Sequence, residues 1–83
     1  MALYMDVHTI PGGVTMADVA QAHEADLRAQ DRHNVNYRQY WVNEREGKVF
    51  CLVEAPTAEA AITVHKEAHG LLADDVFLVQ EGA

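Results

Sequence analysis

From Ala2 to His8 the chain alternates, with Leu3, Met5 and Val7 set against Tyr4, Asp6 and His8. A period of two is what a pleated strand imposes on its two faces, so this segment predicts a strand. Pro11-Gly12-Gly13 breaks it. Thr15, followed three positions later by Asp18, is an N-terminal capping pattern. It opens a helix running to about His33 and closed near Asn34, a residue that tolerates the left-handed conformation. The inward stripe of that helix is expected to hold Met16, Val19 or Ala20, His23 and Leu27, with Asp26 and Gln30 on an adjoining edge. Aromatic and β-branched residues from Asn36 to Glu44 predict a second strand, and Glu46-Gly47-Lys48 a tight turn into a third, Val49 to Glu54. Pro56 and Thr57 start a second helix that continues to His69 and stops at Gly70. A last strand follows from Val76 to Gln80.

The order strand, helix, strand, strand, helix, strand predicts one α+β domain over residues 1–83. It is a ferredoxin-like βαββαβ sandwich in which two helices cover one face of a four-stranded antiparallel sheet, with room for an extra short edge strand. The other face has no cover. If Val49, Cys51 and Val53 look toward the helices, Phe50 and Leu52 look away from them, beside Tyr4, Phe77 and Val79. An apolar patch of that extent marks an interface, and a homodimer joined through the open sheet face is the expectation.

Composition narrows the partners. Six basic and thirteen acidic residues leave a net charge of −7, which repels phosphate backbones and anionic lipid, so neither nucleic acid nor membrane is expected. The opening residues lack the basic segment and apolar run of a signal peptide. A lone cysteine, Cys51, fits a reducing compartment, and a cytoplasmic location is expected. Five histidines in 83 residues are the compositional oddity.

His65 and His69 stand four apart on the second helix, one turn above each other, where two imidazoles can share a divalent cation. The zinc-protease pattern needs glutamate directly after the first histidine, and Lys66 occupies that place. Side-by-side helices bring His23 to the level of His65, with Cys51 looking up from a central strand. His23, Asp26, Cys51, His65 and His69 are therefore candidates for one polar pocket, held together by a hydrogen-bond network, a metal or a reaction. Glu54 ends its strand where it can ligate a cation or cap the second helix. His8 at the rim of the first strand and His33 at the end of the first helix are candidate surface ligands. Cys51 in mid-strand reads more readily as a small buried side chain than as a nucleophile.

The run from Tyr40 to Gly70, with its GKVFCLVEAP arm and its VHKEAHG helix end, resembles a family of small, mainly actinobacterial proteins known as a domain of unknown function. The Pro11-Gly12-Gly13 loop and the segment Ala22 to Asp26 extend the resemblance over nearly the whole chain. That family includes a nickel-binding ferredoxin-like homodimer with metal at the dimer surface, so the resemblance implies nickel as cofactor, bound for sequestration, buffering or sensing, at surface groups such as His8 and His33 rather than the inner set. His65, His69, His23, Asp26, Glu54, His8 and His33 are the candidate ligands. The same donors accept zinc, copper or cobalt. The competing expectation is a small dimeric enzyme of the cofactor-free oxygenase or isomerase type, in which the His/Asp/Cys group does acid–base chemistry. A deep apolar cavity beside these residues would favour that alternative, and a shallow, solvent-facing cluster would favour metal.

Overall fold

Local signals set the boundaries of the elements. In the computed structural model, which describes residues 1–83, β1 spans Ala2–Thr9, α1 Met16–Ala29, β2 Asn36–Asn43, β3 Lys48–Ala55, α2 Ala58–Ala68 and β4 Asp75–Val79. Thr15 caps α1, its hydroxyl accepting from the Asp18 N–H at 3.1 Å, and Thr57 caps α2 by accepting from the Ala60 N–H at 3.1 Å. The first helix ends earlier than its pattern predicts. A 3-10 turn, Asp31–His33, takes over after Gln30, and Asn34 then adopts the left-handed conformation at φ 58°. All strand pairings are antiparallel and the sheet order is β2-β3-β1-β4, the ferredoxin-like arrangement, with no fifth strand.

The core lies between sheet and helices. Val49, Cys51, Val53 and Ala55 of β3 meet Val19 and Ala29 of α1 and Ala61 and Val64 of α2. Burying each valine contributes about 1.5–3 kcal/mol. The inward stripe of α1 differs from the expected one. Met16 and Leu27 are exposed, whereas Asp26 is buried at 2% exposure. A carboxylate takes the central inward position because a histidine of α2 is there to receive it.

The faces of β1 are also reversed. Cross-strand partners share a face, and Asp6 lies opposite Cys51, so Tyr4, Asp6 and His8 turn toward the helices. Tyr4 was expected on the open face and instead packs against the core. Leu3, Met5 and Val7 occupy the open face with Phe50, Leu52, Phe77 and Val79, and Trp41 joins them opposite Phe50. On β2 a register shift between Tyr37 and Gln39 leaves Arg38 as an extra residue. This bulge puts both Tyr37 and Tyr40 on the helix face although they are three apart.

Two loops fasten the end of the molecule nearest the histidines. Ile10 N–H donates to the Gly47 carbonyl at 2.8 Å. Gly47 has φ +70°, and a Cβ there would run into the Ile10 carbonyl oxygen. After α2, Asp74 ties the chain back to β1, its N–H donating to Val7 O at 2.9 Å and its Oδ2 accepting from the Thr9 N–H at 2.6 Å.

Candidate metal centre

Both layers of the structure converge on His65. β1 brings Asp6 and His8, β3 brings Cys51, the bulged β2 brings Tyr37, and α1 brings Asp26 from above. α2 supplies His65 itself, and its C-cap residue is His69. Asp6, His8, Asp26 and His65 are all buried.

The His65 ring is clamped between two carboxylates. Its Nδ1 lies 2.8 Å from Asp26 Oδ1 and its Nε2 lies 3.0 Å from Asp6 Oδ2. Aromatic neighbours hold its plane, with ring centroids of Tyr37 at 4.4 Å and His69 at 4.8 Å. The Tyr37 hydroxyl sits 3.0 Å from Asp6 Oδ2 and 3.1 Å from the Ala61 carbonyl, sharing one proton between two acceptors. His69 Nε2 lies 3.1 Å from both Asp26 Oδ1 and His65 Nδ1. Its own Nδ1 accepts the Leu71 N–H at 3.0 Å, which places the proton of neutral His69 on Nε2.

The electrostatics follow from this clamp. Burial works against an imidazolium at His65, but the hydrogen bonds to Asp26 and Asp6 and their charges outweigh it and raise the group to about 9. Burial likewise opposes the Asp6 carboxylate, and the hydrogen bond with His65, the close approach of His8 and the charges of both rings still hold it well below the usual range. Asp26 is lowered against the same opposition by His65 and His69. Burial pushes the Cys51 thiol and the Tyr37 phenol up, and the nearby Asp6 adds to both shifts.

Two donor groups emerge. Asp26 Oδ1, His65 Nδ1 and His69 Nε2 form a triangle with sides of 2.8, 3.1 and 3.1 Å. Donors about 2.0–2.2 Å from a common ion stand about 3 Å apart when cis, so the spacing of the triangle matches that of donors sharing one ion. With an ion there, His65 would lose its Nδ1 proton and keep Nε2–H on Asp6, the carboxylate–histidine–metal relation that orients a ligand ring. His69 must give up its hydrogen bond from Leu71. The second group is Asp6, His8, Cys51 and His65, whose donor atoms all lie within 4.8 Å of one another.

Of the remaining candidates, His8 joins the second group and the others fall elsewhere. His23 packs its ring on Tyr40 at 4.8 Å and lines the cavity beside the cluster without joining either donor group. His8, expected at the rim, is buried, because β1 turns its polar face inward. His33 is engaged on the surface, its Nε2 2.7 Å from Glu67 Oε2, with Arg32 on the same carboxylate. The His33 hydrogen bond, opposed by slight desolvation, keeps Glu67 low. Glu54 pairs across strands with Leu3 of the open face and contacts Asn36 at 3.2 Å and Arg38 at 3.7 Å, away from the histidines. Asp6 and Tyr37 were not foreseen. The sequence carries Asp6 as one half of an Asp-x-His pair on a strand, but the apolar alternate face of Leu3, Met5 and Val7 suggests that the pair faces outward.

Beside the cluster lies a partly open cavity of about 60 Å³ with a mainly apolar lining that includes Val14, Val19, His23, Cys51, His69 and Leu71.

Comparison with known proteins adds context to this geometry. The family described as nickel responsive protein SCO4226-like matches residues 4–79. The crystal structure of SCO4226 from Streptomyces coelicolor A3(2) superposes with a TM-score of 0.91 at 40% sequence identity, covering 99% of this chain and 100% of that one. No curated protein matches.

Proposed function

Since the chain belongs to the SCO4226-like family of nickel responsive proteins, we propose that it binds a divalent ion of the nickel class at Asp26, His65 and His69. Sequestration, buffering or sensing of that ion is the role. The observation that carries this reading is the 2.8, 3.1 and 3.1 Å triangle of donor atoms at the half-buried end of α2. Imidazole nitrogen and carboxylate oxygen suit nickel, and also zinc, copper and cobalt. His23 borders the site from the cavity, while Glu54 and His33 are spoken for by other partners. The working form is a cytoplasmic homodimer. The apolar strip of Trp41, Phe50, Leu52 and Phe77 on the uncovered sheet face favours a second copy as its partner.

The enzymatic alternative has its own support. The cluster is buried and the cavity beside it is apolar, the circumstances in which the His65–Asp26 pair would serve acid–base chemistry. Size ranks it second. About 60 Å³ holds a few waters, well short of the roughly 300–1,000 Å³ of organic-ligand pockets.

Calorimetric titration of the apo protein with nickel, zinc and copper at about pH 7.5 tests the metal reading, on the natural chain and on His69→Gln and His65→Ala/His69→Ala variants. The expected result is a micromolar or tighter binding event of one ion per chain that both variants lose. Undiminished binding in a folded double variant rejects this site, and no binding by the natural chain rejects the function.

A further inference from the structure

We propose that Asp6, His8 and Cys51 form a second cation site behind His65, one that takes a zinc-class divalent ion through a carboxylate oxygen, an imidazole nitrogen and a thiolate. The three side chains share the helix face of the two central strands. Asp6 lies directly opposite Cys51 in the register, and His8 follows Asp6 by two residues. Their exposures are 1%, 6% and 7%.

The independent sign of a ligand is an unpartnered atom. Asp6 Oδ2 accepts from Tyr37 and His65, whereas Asp6 Oδ1 is buried and has no hydrogen bond. His8 Nε2 approaches it to 3.2 Å without the alignment that a hydrogen bond needs. A buried carboxylate oxygen without a partner leaves its desolvation uncompensated, and a cation between Oδ1, His8 Nε2 and Cys51 Sγ supplies the missing partner. The donor atoms of the group already lie within 4.8 Å of one another.

Charge favours the same occupant. A divalent ion loses its net charge against the Asp6 carboxylate and the Cys51 thiolate, whose proton passes to solvent as the ion binds. Neutrality matters in so dry a place, where an unbalanced charge is expensive. A mixed nitrogen, sulfur and oxygen set selects late first-row ions over magnesium or calcium. Three protein donors also leave a coordination position open, and His8 and Cys51 both line the cavity that can supply a water to it. His65 is the hinge between the sites. Its Nε2–H stays on Asp6 Oδ2 while its Nδ1 serves the outer triangle, so neither site takes a donor atom from the other.

Cobalt(II) titration of the reduced apo protein tests this site separately from the outer one. Saturation should require two cobalt ions per chain and produce sulfur-to-cobalt charge-transfer absorption in the near ultraviolet. Cys51→Ser and His8→Gln should each bind one ion and lose that absorption, whereas His69→Gln should keep it. One ion per chain without the absorption overturns the second site and leaves the outer triangle standing. The absorption together with an unchanged stoichiometry in His69→Gln refutes the outer triangle and upholds this one. Should the Cys51 variant not fold, X-ray absorption on the natural chain decides the question, since a cobalt shell without sulfur overturns the proposal.

Discussion

The carboxylate clamp on His65 makes the stability of the apo protein fall with rising pH in a predictable window. The folded-state value is raised from 6.5 to about 9 by Asp26 and Asp6. A group whose folded pKa exceeds its unfolded pKa contributes fully below the unfolded value and loses that contribution as pH rises toward the folded one. At 1.36 kcal/mol per unit, the loss between about pH 6.5 and 9 is about 3 kcal/mol. Above that window the buried Cys51 thiol, also raised, adds its own decline. The lowered Asp6 and Asp26 act on the acid side, where stability drops as pH falls below the ordinary carboxylate value of 3.8. Urea denaturation at fixed protein concentration, with chelator present, measures the slope. Asp26→Asn preserves shape but removes one of the two charges, so its slope over the same window should be clearly shallower. An apo protein whose stability stays flat or rises from about pH 6.5 to 9 would refute the clamp.

Other outcomes follow from single contacts. Nickel binding at neutral pH should release at least one proton, because the raised His65 is charged there and must free Nδ1; calorimetry in buffers of different ionisation enthalpy counts it. Tyr37→Phe should cost about 1–2 kcal/mol in thermal or urea unfolding, since it deletes the hydroxyl beside Asp6 Oδ2 and leaves the packing intact. Gly47→Ala, at φ +70° and against the Ile10 carbonyl, should cost more than about 2 kcal/mol in the same assay. Trp41→Glu, on the open sheet face, should shift sedimentation toward a monomer without unfolding the chain.

The elements and their order were legible because turn residues and caps are local: Thr15, Asn34, Thr57 and Gly70 each act on the backbone beside them. Which face of β1 turns inward was not legible. Alternation assigns residues to two faces but does not say which one meets the helices, and here both faces carry apolar residues. Register decides it, through the pairing of Asp6 with Cys51. The inward place of Asp26 was obscured in a related way, since Leu27 beside it looked like the better core residue. His65 and His69 were visible from their spacing alone, while Tyr37 enters only through the bulge at Arg38, a long-range irregularity with no local signature.

The Leu71 N–H on His69 Nδ1 has a kinetic consequence. An ion arriving at Nε2 displaces the proton there, and that proton's natural refuge, Nδ1, is blocked by a backbone donor. The short span from Gly70 to Asp74 must first let go of one end while Asp74 remains fastened to β1. At the ion site proposed above, loading of the outer triangle would then proceed in two steps, opening and capture. Its observed rate should rise with ion concentration and level off at the opening rate of this span, a plateau that a freely accessible pair of histidines would not show.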